Sequence, residues 1–317
     1  APNCLWILVG AADNADCSKA LMATTDGIYL DFFGLSVRPF SLVPDPSFLF
    51  RADQYSRALT MLEYGIVTRA PVTLMTGEVG AGKTTVLHAL LATLGEDVLA
   101  GLIMNSHGAR GELLQWVLMS LGQRVPAGAS YVELFCQFQE FLIGEYAARR
   151  RVILIFDEAQ NLSRESLEEL RMLTNINSNR DELLQLVLVG QPELRDTVRR
   201  PDMVQLAQRI AMSFHIPAMN AATVEGYIDH RLSVAGASAR IFNSPAAKLV
   251  YHATGGVPRL INQLCDLAMV YAFTKDEHFV SRQTVKEVLS DGVFFAGGRD
   301  VDFGTLPSRG PVSDVGY

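Results

Sequence analysis

Lysine is scarce in this chain: only Lys19, Lys83, Lys248, Lys275 and Lys286 occur among 317 residues. A lysine at a structurally special position is therefore more informative than usual. Cysteine is scarcer still, at 4 residues. Cys4, Cys17, Cys136 and Cys265 form no CxxC pair, and their spacing fits neither a zinc site nor a disulfide-dense secreted domain. They read as reduced thiols of a cytosolic protein. No run reaches the roughly 18 apolar residues needed to span a bilayer. The apolar segment Leu5–Val9 is too short for a span, and no basic stretch precedes it, so it does not read as a signal peptide. Proline (13) and glycine (25) are too few for a proline-rich linker protein or a collagen-like chain. Basic residues number 27 against 34 acidic ones, a net charge of -7. That balance argues against a globally basic nucleic-acid coat and leaves a local basic patch open.

What is present is apolar: 49% of residues are hydrophobic and 19% charged, enough for a large core. At roughly 100–200 residues per domain, the length suits two domains, or one large domain with an appendage. Residues 1–27 lack periodicity and read as a poorly ordered extension, with Met22 a candidate start. Tyr29–Phe50 is rich in aromatics and prolines and reads as an extended segment laid against a domain, not a helix. Helical spacing runs from Asp53 to about Tyr64. Strands and helices then alternate. Val72–Thr76, Val98–Met104, Arg151–Phe156, Leu184–Val189 and Met212–Ile216 read as strands. Lys83–Leu94, Glu112–Leu121 and Leu162–Asn175 read as helices, as does a stretch to about Arg149 opened by a Ser130/Glu133 capping box. Arg151–Phe156 has almost no polar interruption, as expected when both faces of a strand are covered. The alternation predicts an α/β domain over 28–218, a parallel sheet sandwiched by helices. After Pro217 the strands stop. Asn220–Val234, Ser244–Thr254, Pro258–Phe273 and Ser281–Leu289 read as helices of a small all-helical domain over 219–292. Ser244 followed by Pro245 reads as an N-cap with proline at the first helical position. Residues 293–317 read as a flexible tail.

Gly77-Glu78-Val79-Gly80-Ala81-Gly82-Lys83-Thr84 matches GxxxxGK[ST], the P-loop, and Thr85 follows in the same cradle. Glycines let backbone N–H groups curl around phosphate oxygens. The helix that follows turns its positive end toward the same anion. Lys83 is then expected at the β- and γ-phosphates, and the Thr84 hydroxyl on Mg²⁺. The strand Val152–Phe156 ends in Asp157-Glu158, and in such sheets ligands sit at the carboxyl ends of strands. Asp157 is expected to hold Mg²⁺, directly or through water. Glu158 is expected to orient and deprotonate the attacking water. Leu186–Val189 leads into Gly190-Gln191, which makes Gln191 the candidate to contact the γ-phosphate or that water. Arg259, at the start of a second-domain helix, is placed to reach back to the nucleotide and tie domain closure to phosphate occupancy.

In this order, the P-loop, Asp157-Glu158, Gly190-Gln191 and Gly256-Val257-Pro258-Arg259 resemble an AAA+ ATPase with a helical lid. The finer resemblance is to the general secretion pathway protein A (ExeA-like) family. It rests first on Phe33-Gly34-Leu35, Pro39-Phe40, Pro44-Asp45-Pro46 and Phe48-Leu49. It continues through Thr76–Thr85, Asp157–Leu162, Val189–Leu194, Gln208-Arg209-Ile210 and Pro258–Asn262, and covers roughly residues 28–292. The resemblance implies a P-loop NTPase fold, ATP and Mg²⁺ as cofactors, and hydrolysis coupled to oligomer rearrangement. It also implies a place in secretion, pilus or exopolysaccharide export. By the same motifs the chain is similar to transposition ATPases of the TniB and TnsC kind.

Arginine fingers in such proteins act across the subunit interface. Of Arg195, Arg199, Arg200 and Arg209, which follow the Gln191 strand, Arg209 is favoured because it sits just before the last strand, with Arg200 second. The expected partners are further copies of the chain, in a ring or filament, and components of an export machine. Duplex DNA is open but not favoured. Full-length secretion members often continue into a transmembrane helix and an envelope domain. This sequence shows neither, so it is expected to be a cytosolic fragment or a standalone type, cytoplasmic or peripheral at the inner membrane. Three functions stay open: an export-assembly ATPase, a DNA-bound transposition regulator whose filament is driven by ATP, and a nucleotide switch. The intact Glu158 argues against the switch. The net charge and the lack of an appended helix-turn-helix argue against DNA.

Overall fold

Strands covered on both faces favour apolar residues throughout, and two of the five here are nearly so. The computed structural model describes residues 28–43, 45–104, 112–178 and 181–295. The expected extension, Cys4, Cys17, Pro44 and all but the first three residues of the expected tail lie outside them. Strands β1 (Val72–Gly77), β2 (Val98–Ile103), β3 (Arg151–Phe156), β4 (Leu184–Gly190) and β5 (Ile210–Ile216) run parallel in the order β2-β3-β4-β1-β5. Every residue of β4 is buried, and all of β3 after Arg151. Edge strands β2 and β5 are only partly covered.

The period-two alternation of strand side chains divides the core into two layers. Ile153, Ile155, Val187 and Val189 face helices α1 (Asp53–Val67) and α2 (Lys83–Thr93). Val152, Leu154, Phe156, Leu186 and Leu188 face α3 (Glu112–Ser120), α4 (Tyr131–Ala147) and α5 (Arg164–Leu173). The expected capping box opens α4: Ser130 accepts from the Glu133 backbone N–H, and the Glu133 carboxylate accepts from that of Ser130.

The first layer continues into the lid through Ile228, Val250, Leu264 and Met269, all fully buried. At about 1.5–3 kcal/mol for each large apolar side chain buried, this shared cluster fastens lid to sheet. The lid is α7 (Ala221–Val234), α8 (Ser244–Thr254), α9 (Pro258–Thr274) and α10 (Arg282–Ser290). Between β4 and β5 stand α6 (Pro192–Val198) and a four-residue helical turn, Val204–Ala207. A short antiparallel pair joins Asn177–Ser178 to Asp181–Glu182. It is too short to carry a strand pattern.

Two sequence readings need correction. The cap of α8 is Asn243, whose side chain accepts from the Ala246 N–H at 2.9 Å; Ser244 is already helical and bonds Glu225 instead. Tyr29–Phe50 is not wholly extended. It contains a short helix, Leu30–Phe33, closed by Gly34 at φ 66, and a 3₁₀ turn, Pro46–Phe48. Its first part is fastened to the lid rather than to the sheet. Tyr29 and Arg38 both bond Asp266 of α9, the Ser36 N–H donates to the Ala235 carbonyl at 2.8 Å, and Phe32 stacks on His278 at 4.2 Å. The chain then returns from lid to sheet as a strap through residues 41–43 and 45–52.

Candidate active site

The phosphate loop leaves β1 at Gly77 and enters α2 at Lys83, with Gly80 and Gly82 in left-handed conformations. Gly80 also answers a packing need: a Cβ there would lie 2.6 Å from the Arg259 Cβ. Tyr55 of α1, buried, donates its hydroxyl to the Ala81 carbonyl at 3.2 Å and supports the loop from beneath.

Lys83 is only 5% exposed, and its Nζ donates to the carbonyls of Gly77 at 2.9 Å and Glu78 at 3.1 Å. Burial pulls its pKa below the ordinary lysine value, against the opposing pull of Glu158 and Asp157. Thr84 Oγ1 donates to Asp157 Oδ2 at 3.0 Å, so the expected magnesium residues meet. Burial raises the Asp157 carboxyl, while bonds from the Glu158 N–H and Thr84 act the other way. A buried carboxylate beside a hydroxyl, at the phosphate end of the sheet, is a hard-oxygen donor pair and fits Mg²⁺.

Glu158 stands at φ 53, a left-handed conformation that costs a non-glycine residue energy and aims the side chain out of the strand line. Its Oε2 accepts from Gln160 Nε2 at 2.6 Å and from Gln191 Nε2 at 3.2 Å. Burial alone would raise this carboxyl. The two amide bonds and the charge of Lys83 outweigh it and leave the pKa below the ordinary value. Gln191 thus stands where the sequence places it, at the carboxyl end of β4 beside the expected base.

Arg259, at the start of α9, donates its backbone N–H to the Gly80 carbonyl at 3.2 Å. It lines the same cleft as Lys83, Thr84, Thr85 and Glu158. Lid and phosphate loop therefore touch directly.

Arg209 is not in this cleft. It precedes β5, whose first residue pairs with Val72, while the phosphate loop begins at the other end of β1. The separation is about 17 Å at the usual strand rise. Its guanidinium donates to the Thr174 carbonyl and to Asn175 at the end of α5. Arg200 is exposed and paired with Asp202.

The sequence reading gave no role to the far wall of the cleft. Strap residues 41–43, 45 and 48–50, Tyr227 and Arg231 of α7, and Asn262 of α9 form it. Arg231 is 7% exposed. It donates to the carbonyls of Pro39 and Ser41 and to the Tyr227 hydroxyl, and lies 4.6 Å above the Phe48 ring. Asn262 bonds Tyr227 at 2.9 Å and Ser41 at 3.3 Å. Tyr55 and Gln160 were missed as well. Gln160 had a signal in the sequence, an amide two residues past a strand-end carboxylate. Arg231 had none, because a single arginine on a helix reads as a solvated side chain.

A family model described as "AAA domain" matches residues 67–198. General secretion pathway protein A of Aeromonas hydrophila is 38% identical over 251 residues, 79% of this chain and 46% of that protein, so the chain spans under half of its relative. Among solved structures, CDC6P from Pyrobaculum aerophilum superposes with a TM-score of 0.65 at 17% identity, over 81% of this chain and 71% of that one. Aeropyrum pernix ORC2 gives 0.61 at 18%, over 80% and 71%. The Thermotoga maritima RuvB branch migration motor gives 0.53 at 16%, over 80% and 72%. At such identities these structures speak for the fold alone. Together with the sheet order and the loop geometry, the matches make this chain an AAA+ P-loop protein related to general secretion pathway protein A.

Proposed function

We propose that the chain binds ATP in the cleft between sheet and lid and hydrolyses it, and that turnover drives assembly or remodelling of a homo-oligomer. The observation that carries this reading is the meeting of Lys83, Thr84, Asp157, Glu158 and Gln191 at the carboxyl ends of three adjacent strands. A bound anion competes for the Lys83 ammonium, which now serves two loop carbonyls, and draws it to the β- and γ-phosphates. Thr84 and Asp157 would hold Mg²⁺, which when bound neutralises phosphate charge. Glu158 accepts a proton from the attacking water. Gln191 keeps one amide N–H for the γ-phosphate or the water while the other holds Glu158. Arg259 brings a lid charge to the same phosphates, so occupancy draws the lid onto the loop. Arg209 serves the neighbouring subunit, because it lies too far from its own phosphate loop.

The likeness to general secretion pathway protein A supports a place in a bacterial secretion, pilus or exopolysaccharide export system, in the cytoplasm or at the inner face of the inner membrane. Among the described residues no helix is long and apolar enough to cross a membrane. The test is phosphate release from ATP by the purified chain across a protein concentration series, with and without duplex DNA at two salt concentrations. Specific activity should rise with protein concentration and ignore DNA. A DNA stimulation that fades steeply with salt moves the reading to the transposition alternative. No hydrolysis at any concentration moves it to the nucleotide switch.

A further inference from the structure

Both ends of the Gln160 side-chain amide are committed. Its Oε1 accepts from the Gln191 backbone N–H at 3.0 Å, and its Nε2 donates to Glu158 Oε2 at 2.6 Å. A backbone N–H can only donate and a carboxylate can only accept, so the amide has one workable orientation. Gln191 closes the triangle through its own Nε2 on the same Glu158 oxygen, at 3.2 Å. Gly190 makes the approach possible: a Cβ there would fall 2.8 Å from Gln160 Oε1. The bridge thus joins a residue on a strained backbone, Glu158, to the tip of the neighbouring strand.

We propose that Gln160 is a positioning residue for hydrolysis: its amide ties Glu158 to the end of β4, so that the base and the residue facing the γ-phosphate move as one unit. The proposal rests on the reading of Glu158 as the base. A shift of Gln191 toward phosphate is felt by Glu158 through two connections, one direct and one through Gln160. Loss of Gln160 leaves the carboxylate on one amide and lets it turn away from the water, with the nucleotide-binding loop untouched.

The test compares Gln160→Met, which fills similar space without hydrogen bonds, with Gln160→Glu, which sets an acid where the donor stood. Steady-state ATP hydrolysis gives kcat and KM, and chemical unfolding reports folding. Gln160→Met should lower kcat about tenfold to a hundredfold, the usual weight of a hydrogen bond to a charged group. Gln160→Glu should lower it further, with KM and the unfolding midpoint near parental in both. Gln160→Met combined with Gln191→Met should lose less than the product of the two single losses, because both hold one carboxylate. Parental kcat in Gln160→Met, additive losses in the pair, or loss of folding together with activity in both Gln160 variants would each overturn the proposal. Glu158→Gln runs alongside. Full activity there removes the base assignment and this proposal together, whereas an inactive Glu158→Gln beside a fully active Gln160→Met removes the positioning role alone.

Discussion

The two walls of the cleft are built in opposite ways. The sheet wall and the groups directly behind it are made of short contiguous runs, the phosphate loop, Asp157-Glu158 and Gly190-Gln191, each at the end of a buried strand. The lid wall is held together by single residues from distant parts of the chain: Arg231 reaches the Pro39 carbonyl across 192 positions, and Asn262 reaches Ser41 across 221. The sheet wall carries the groups proposed to handle phosphate and water. The lid wall carries a buried guanidinium satisfied by carbonyls, a hydroxyl and an aromatic face. The difference teaches that chemistry and closure are separable here. Damage to the first should always appear in turnover, with affinity lost as well at the phosphate loop, and damage to the second in affinity and stability without loss of turnover.

The severest break is Lys83→Ala. It removes the ammonium from the loop, so ATP affinity should fall and turnover should vanish, as read by calorimetric titration and phosphate release. Near-parental hydrolysis would withdraw the phosphate-loop assignment. Glu158→Gln should separate the two properties within the sheet wall. The amide keeps the shape but accepts no proton, so turnover should drop about 10²–10⁴-fold. ATP should stay bound, and any ATP-dependent oligomer should accumulate in light scattering.

Arg209→Ala carries the comparison across the subunit boundary. Binding should be intact and hydrolysis at least about tenfold slower, since finger residues typically supply about 10³–10⁵ in rate. Mixing Arg209→Ala with Lys83→Ala should restore part of the activity. One interface then pairs an intact loop with an intact finger. No rescue despite proven co-assembly would move the role to Arg200.

On the lid wall, Arg231→Leu should strand the Pro39 carbonyl, which has no other side-chain donor among the described residues, and leave the Ser41 carbonyl to Asn262 alone. Stability should fall by about 1–3 kcal/mol and KM for ATP should rise, with kcat nearly unchanged. A collapse of kcat at constant KM would place Arg231 on the chemical side and dissolve the division. The smallest effect lies away from the cleft. Asn243→Ala should cost about 1 kcal/mol in chemical unfolding and leave ATP affinity alone. Ser244→Ala should cost less, because Asn243 and not Ser244 caps α8.

The strand and helix positions were legible because their periods are local. All five strands stand within two residues of where apolar runs place them. The phosphate loop was legible because one anion demands glycines, a lysine and a hydroxyl at fixed spacing on one turn of chain. Gln191 was legible because a polar residue ending a buried strand has few places to go. Arg259 was found by its proline-capped helix start. Its contact with Gly80 became visible only once lid and sheet shared a core.

By itself the sequence determined the parallel sheet, the helical lid and the sheet wall of the cleft, since each follows from residues that are neighbours in the chain. Tertiary structure alone decided that Tyr29 and Arg38 anchor on Asp266, that a strap lines the cleft, and that Arg231 is buried against that strap. The reason is physical: a side-chain donor takes whichever acceptor the packed core brings within about 3 Å. When the two residues lie some two hundred positions apart, their spacing along the chain carries no record of the meeting.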